Sequence, residues 1–377
     1  MNKFWKKQNK KLNELQNKID NMQSILDKLE KELEEEKKLT RQVQRNIKKE
    51  FIRRDAWEIK AAEVNWLAKG KSVWVIKCPM PEGSDKNTWG VYCFAVTLQN
   101  TLNKLGCYAV VDIYEEWSGN VEADVVIVLR GKYQYRPDRR NKKCTYIMWH
   151  VGHPDMVECE EYELFDLVLI DSISYAEKIA QKVSVPVKPF LVCADTNIFY
   201  PGEEEPTYGN VFVGNTRGVY RGCVEWCEKN EIPLHLWGRV EGNGWKQFID
   251  ANSFVKLEGG ISNEELPNIY RQSKIILNDH YDDMRNEGFF NNRTFEGLCC
   301  GRPVISDYHP DFEKVFGDCV LFYHNEEDFV NKLKMLSDNY DEYRQRVLEI
   351  WPKLKQEYSF EARASELIEM IKLMKEL

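Results

Sequence analysis

Residues 274–307 read KIILNDHYDDMRNEGFFNNRTFEGLCCGRPVISD, and the order of these letters decides the fold. The apolar run in 274–279 reads as a buried strand, 294–300 as a helix, and 303–307 as a second strand. The polar segment between them, 278–296, leaves a strand end and finishes where a helix starts. Open α/β sheets bind their ligands at such strand ends. Asn292 and Arg293 fall at the helix start, where free N–H groups and the helix dipole favour phosphate. Glu296, one turn on, is placed to accept hydrogen bonds from ribose hydroxyls. So dense a mixture of His, Asp, Asn, Arg and Glu points to a site rather than to a solvated loop.

Outward from this stretch, the same alternation recurs twice. A first series has strands at 72–77, 108–112, 124–129, 145–149, 167–170 and 187–191, with a helix at 90–105 ended by Gly106. A second series has strands at 210–215, 234–238, 254–259 and 320–323 around the quoted stretch, with helices at 219–230 and 263–272. Alternating β and α units predict parallel sheets with helices on both faces, and two series predict two Rossmann-like domains facing a cleft. PGEEEPTYG at 201–209 is the natural linker. The expected division is a helix over 1–55, a first domain over 56–205, a second over 206–345, and C-terminal helices over 346–377 packing back across the domains. In the second domain, Gly214-Asn215-Thr216-Arg217-Gly218 follows a strand, and Arg217 or Arg221 would give a diphosphate its fixed charge.

Leu12, Leu15, Ile19, Met22, Leu26, Leu29 and Leu33 are spaced alternately by three and four residues. That is a coiled-coil seam, which predicts a homo-oligomer; a single long helix folded back on the body is the other reading. Leu39, Val43 and Ile47 continue on a displaced stripe, a phase slip that alters or ends a supercoil. Phe4 and Trp5 among Lys3, Lys6, Lys7, Lys10 and Lys11 suit peripheral contact with an anionic membrane surface or a frayed terminus.

Residues 1–54 hold 16 Lys/Arg and 9 Asp/Glu, so the rest of this chain of net charge −8 carries −15. So acidic a body is a poor nucleic-acid binder, and any anion must be held by a few local groups. No apolar run approaches the roughly 18–20 residues of a membrane span, and no apolar stretch follows the basic N-terminus as in a signal peptide. The eleven cysteines lack paired metal-ligand spacing and read as buried thiols of a reducing compartment, so a cytoplasmic location is expected. No G-x-G-x-x-G follows Ile76, which argues against a dehydrogenase.

The quoted stretch resembles the C-terminal half of GT-B nucleotide-sugar glycosyltransferases, in particular the CgeB/YkvP-like branch of glycosyltransferase group 1. The motifs are NDHYDDMRNEGF at 278–289, NRTFE at 292–296 and GRPVISD at 301–307. The similarity continues in FVGNTRG at 212–218, SNEELPNIY at 262–270, Trp89-Gly90, Leu129-Arg130-Gly131 and WHVGHPD at 149–155, covering about residues 71–345. It implies a GT-B transferase without cofactor or obligatory metal that moves a sugar from a nucleotide-diphosphate sugar to a glycan or protein acceptor. Surface polysaccharide or glycoconjugate synthesis is the implied setting.

By the same resemblance, Gly260–Ile261 passes the base and Glu296 contacts ribose. Gly214, Asn215, Arg217, Asn292 and Arg293 hold the diphosphate, and Asp279, His280 and Asp282 lie near the sugar. Trp89, Gly90 and Arg130 belong to the acceptor side. His153, then His150, are the candidates for the base, with Asp282 as a further catalytic candidate.

Two departures stand out. Eight residues separate Glu287 from Glu296 where the superfamily has seven, and Val91 and Cys93 stand where relatives often carry an acid and a histidine. A catalytically degenerate scaffold or a sugar-nucleotide epimerase are the rival readings.

Overall fold

The computed structural model describes residues 2–376 apart from 120, 121 and 251, without the side chains of 2–14, 50, 51, 53–55 and 57. Leu12, Phe4, Trp5 and their neighbouring lysines therefore lie outside the described side chains. The chain forms two compact units, residues 1–63 and a body from Val64 onward.

No glycine or proline interrupts residues 2–68, and helix α1 runs unbroken over Asn2–Ala68, through the phase slip. It ends where Lys69 and Gly70 both take positive φ, 47° and 80°. The seam residues Leu15, Ile19, Met22, Leu26, Leu29 and Leu33 are 50–69% exposed.

In the body, β1 (Val73–Lys77), α2 (Gly90–Lys104), β2 (Tyr108–Asp112), β3 (Val125–Arg130), β4 (Thr145–His150), α3 (Cys159–Tyr162), β5 (Leu167–Ile170), α4 (Ile173–Ala180) and β6 (Val187–Pro189) form the first lobe. Its six strands are parallel in the order β2-β1-β3-β4-β5-β6. All six residues of β3 are buried, as a strand covered on both faces requires. Trp149 sits between the rings of Phe94 and Phe190, at 5.3 and 4.8 Å.

The second lobe begins with β7 (Tyr208–Val213), α5 (Gly222–Lys229), β8 (Leu234–Trp237), β9 (Val255–Gly259), α6 (Leu266–Arg271) and β10 (Ser273–Asn278). It continues with α7 (Asp282–Asn286), α8 (Asn292–Cys299), β11 (Val304–Asp307), α9 (Phe312–Phe316) and β12 (Val320–Tyr323). Its parallel sheet has the order β12-β11-β10-β7-β8-β9. The winding reverses between β7 and β10, so a crevice opens beyond their carboxyl ends. Those ends are Val213 and Asn278, the feet of the two segments singled out in the sequence.

Helices α10 (Glu326–Asp338) and α11 (Tyr340–Glu357) follow, and α12 (Phe360–Glu376) packs on the first lobe. There Phe360 meets Phe94 at 4.7 Å, and Arg363 Nε donates to Leu191 O at 3.0 Å. The 219–230 helix is shorter than expected, starting at Gly222 because Arg221 is extended at its N-cap. The last strand of the first series ends at Pro189 rather than residue 191.

The lobes are also tied by one buried carboxylate. Asp311 of the second lobe accepts from the backbone N–H groups of Ile173 and Ser174, at 2.9 and 2.8 Å, capping α4 of the first. Glu287 joins this seam, its carboxylate 2.6 Å from Lys178 Nζ and its carbonyl accepting from Ser172 Oγ.

Candidate active site

A cavity of about 560 Å³ lies between the carboxyl ends of the two sheets. The second lobe contributes Gly214, Asn215, Arg217, Arg221, Asn292, Arg293 and Glu296 to its wall, and the first lobe Trp89, Gly90, Cys93 and Thr97.

Three arginines converge on its second-lobe wall. Arg293 follows the N-cap Asn291, whose side chain accepts from Thr294 N. Its Nε donates to Val213 O at 2.8 Å, its Nη1 donates to Asn278 Oδ1, and its head lies over the Phe212 ring. Asn278 is itself fixed, donating to Thr294 Oγ1 and Ser306 Oγ. Arg221, 4% exposed, stacks on the same Phe212 ring and pairs with Asp279. Arg217, held at φ 62°, lies 3.9 Å from the Tyr281 ring centre and donates to Asp279 O.

One carboxylate, Asp279, thus serves two guanidinium groups, those of Arg217 and Arg221, while Arg293 is held by Val213 O and Asn278 Oδ1. Burial, then the charge of Arg293, pushes Arg217 down to about 10. Burial together with Arg217 and Arg293 pushes Arg221 well below the ordinary range. Gly214 keeps the wall open: a Cβ there would stand 2.7 Å from Arg293 Nη2 and 2.9 Å from Arg221 Nη1. Such a cluster, with Arg293 in the first turn of α8 and Arg221 at the N-cap of α5, can hold a multiply charged anion.

Glu296 faces the cavity one turn beyond Arg293. Burial lifts its carboxyl to about 7, against the pull of Arg293 and a hydrogen bond from Asn292. Across the cavity, Asn263 Nδ2 donates to Cys93 Sγ at 2.9 Å and to Asn87 O at 2.7 Å.

Of the residues expected in the site, Trp89, Gly90, Gly214, Asn215, Arg217, Asn292, Arg293 and Glu296 share this wall. Others are elsewhere. His150, expected at the cleft, is 0% exposed, with Nδ1 against Tyr162 OH at 2.9 Å and Nε2 against Gly152 O at 3.1 Å. Burial, then Arg130, pushes it down to about 3, so it is a neutral core residue. Arg130 is likewise buried, paired through both Nε and Nη2 with Glu161. Asp282 points outward with 84% of its side chain exposed, paired with Arg285. Asp279 and His280 lie behind the wall; His280 Nδ1 is 2.7 Å from Asp307 Oδ1 and its backbone N–H donates to the same carboxylate. Ile261 is half-buried and outside the cavity wall.

His153 adjoins the cavity, its ring 4.9 Å from that of Tyr281. It has φ 59°, and its Nδ1 lies 3.6 Å from Asp283 Oδ2. Burial, then Lys132, pushes its imidazole down. Burial, then the adjacent Asp155 carboxyl, lifts Asp283 to about 6.

Tyr270, Tyr281, Met284 and Phe290 also line the cavity; they fall inside the segments 262–270 and 278–296, but the sequence does not mark them individually as site residues. Their apolar character gave no local signal to separate them from core. Asn278 and Asp307 carried a faint one, as polar residues closing apolar strands.

Residues 220–369 match a family model described as glycosyl transferase-like. Among solved structures, AviGT4, a glycosyltransferase involved in avilamycin A biosynthesis, superposes with a TM-score of 0.53 at 14% identity, covering 80% of this chain and 97% of that one. HepE from Anabaena, in complex with UDP and glucose, gives 0.53 at 9% identity over 80% and 99%. T4 phage BGT, in complex with UDP and Mn2+, gives 0.52 at 12% over 80% and 99%. No curated protein matches the chain in sequence. The architecture these structures share with the body is the GT-B fold: two Rossmann-like lobes facing a cleft.

Proposed function

We propose that this chain is a glycosyltransferase that moves a sugar from a nucleoside-diphosphate sugar to a hydroxyl of a glycan or protein acceptor. The convergence of Arg217, Arg221 and Arg293 on the cavity, with Asp279 pairing only the first two, carries the reading. A ligand bringing its own negative charges suits such a wall. UDP bound to HepE and to T4 phage BGT supports uridine as the nucleoside. The glycosyl transferase-like match over 220–369 supports the donor role of the second lobe.

In this reading Gly214, Asn215, Arg217, Asn292 and Arg293 hold the diphosphate, with Arg221 behind them, and Glu296 takes the ribose hydroxyls. The loop at Ile261 passes the base. Asp279 and His280 act by setting the arginines and the floor of the sugar pocket. The acceptor enters along Trp89 and Gly90. Its oxygen attacks the anomeric carbon, the bond from that carbon to the diphosphate oxygen breaks, and the arginines stabilise the charge left on the diphosphate. The acceptor's proton goes to His153, the candidate histidine beside the cavity.

The motifs from Asn278 to Asp307 keep the CgeB/YkvP-like assignment, and surface glycan or glycoconjugate synthesis, as the preferred setting. The exposed seam of α1 is proposed to pair with a second copy of the chain. No helix among the described residues is long and apolar enough to cross a membrane.

Calorimetric titration with UDP, GDP, dTDP and CMP on the wild type, Arg293→Ala and Glu296→Ala tests the site. One nucleotide binding tightly, and at least tenfold more weakly in both variants, is expected. If folded wild type binds none of the four, the transferase reading falls and a scaffold takes its place. UDP-sugar turnover without any acceptor would mark an epimerase instead.

A further inference from the structure

The mouth of the cavity holds a second group of chemistry-bearing side chains. His153 and Asp155 come from the turn after β4 of the first lobe, and Asp283 from the first turn of α7 in the second. One potential ligand atom from each lies within 4.8 Å of the other two, and His153 Nδ1 is 3.6 Å from Asp283 Oδ2. It is the one such His/Cys/Asp/Glu group among the described residues.

Two features set it apart from a chance meeting of polar groups. Asp283 Oδ2 is buried and makes no hydrogen bond, its neighbours being His153 Nδ1 at 3.6 Å and the Asp155 carboxyl. Buried polar atoms of that kind call for an explanation, and an ion is one of the usual ones. His153 is also fixed in the left-handed region, φ 59° and ψ 59°, directly before Pro154. That conformation is costly for a residue with a side chain, and the proline locks the turn that presents Asp155 two residues later.

We propose that His153, Asp155 and Asp283 bind one divalent transition-metal ion across the two lobes. One imidazole and two carboxylates form a mixed nitrogen and oxygen set that suits Zn2+ or Mn2+ over Mg2+, which avoids nitrogen ligands. Ligand atoms around a tetrahedral ion stand about 3.3 Å apart, given metal–ligand bonds of roughly 2.0–2.1 Å. Reaching that spacing from 3.6–4.8 Å asks the side chains to close by about 0.3–1.5 Å, and Asp155 is at the surface.

The inference stands without the transferase reading, but it has a consequence for it. An ion on one imidazole nitrogen leaves the proton on the other, so the ion and the acceptor proton compete for His153. Zn2+ would then suppress transfer while leaving UDP binding intact.

The test is titration of the full chain, stripped of metal, with ZnCl2, MnCl2 and MgCl2, for the wild type, Asp155→Asn and Asp283→Asn. Co2+ spectra then report the donor atoms, since thiolate ligation adds a near-ultraviolet band that nitrogen and oxygen ligation lacks. Expected are one Zn2+ or Mn2+ per chain, weak Mg2+, at least tenfold weaker binding in each variant, and no thiolate band for that Co2+. Binding unchanged in both variants, a thiolate band, or no binding at all would overturn the proposal. Should Asp283→Asn fail to fold, the surface variant Asp155→Asn still decides. Every readout is binding, so its failure is distinct from failure of the transferase reading.

Discussion

Replacing Gly214 by alanine separates the anion site from the fold that carries it. The added Cβ would stand 2.7 Å from Arg293 Nη2, 2.9 Å from Arg221 Nη1 and 3.1 Å from the Phe212 ring. Ordinary contact begins near 3.4 Å, so the Arg293 head must retreat by about 0.7 Å. Gly214 has no positive φ, so its backbone accepts alanine without strain, and the atoms that must yield are ends of long side chains. Loss of backbone freedom in the unfolded chain returns about 0.4–1 kcal/mol, which offsets much of the crowding. The site does not share that tolerance. Losing one charge-assisted hydrogen bond to a phosphate oxygen costs about 1.5–3 kcal/mol, roughly a 10- to 150-fold rise in Kd. Calorimetry with UDP, alongside thermal unfolding, should therefore show a large affinity loss at nearly unchanged Tm. Affinity within threefold of wild type in a folded Gly214→Ala protein would refute the placement of the diphosphate against these arginines.

Glu296→Gln should stabilise the protein in alkali and not in acid. The Glu296 carboxyl lies at about 7 in the fold against 4.5 unfolded, so its ionisation opposes folding as pH rises between them, by at most about 3 kcal/mol above pH 7. Denaturant midpoints at pH 5 and pH 8 check this, and an equal difference at both would sink it. Asp311→Ala should cost about 2–4 kcal/mol in urea unfolding, since it uncaps α4 and strands the donors of Ser172 and Ser174; a loss below about 0.5 kcal/mol would contradict the clamp. Ile19→Lys with Leu26→Lys should reduce the sedimenting mass of the full chain to that of one 44.5 kDa copy. A wild type already at that mass would dismiss the coiled coil.

The strands were readable because a parallel strand covered on both faces must be a continuous apolar run, as in β3 and β5. Helix α11 overlaps the C-terminal helices expected over 346–377. Its start at Tyr340 was not legible, because the helix is charged, carries Pro352 inside, and buries only Val347 and Leu354 completely, too thin a stripe to show periodicity. At the site, the placement of Arg293, Glu296 and Gly214 on the cavity wall was legible, since it follows from position at a strand end or a helix start. His150 shows where such reasoning stops. It closes a strand as a site residue would, yet Tyr162 and Phe289 pack around it and enclose the ring. Glu287 is the same case: its partner Lys178 is 109 residues away, in the other lobe. Local spacing fixes which residues reach the cleft edge, while tertiary packing decides which of them turn into it.

Charge explains why so much is invested in one wall. The chain beyond residue 54 carries a net −15, so the surface as a whole repels an anionic donor. Binding must then come from short-range contacts that outweigh that field. Burial weakens Arg217 and Arg221 as cations, and crowding by one another and by Arg293 weakens them further. A doubly charged diphosphate relieves the crowding, so the empty wall is the less stable state and the ligand stabilises the folded chain by mass action. The sugar and the base contribute no charge to that balance. Affinity should therefore reside in the diphosphate, with nucleoside diphosphate, the product of the proposed transfer, holding nearly as tightly as the proposed donor and its release limiting turnover.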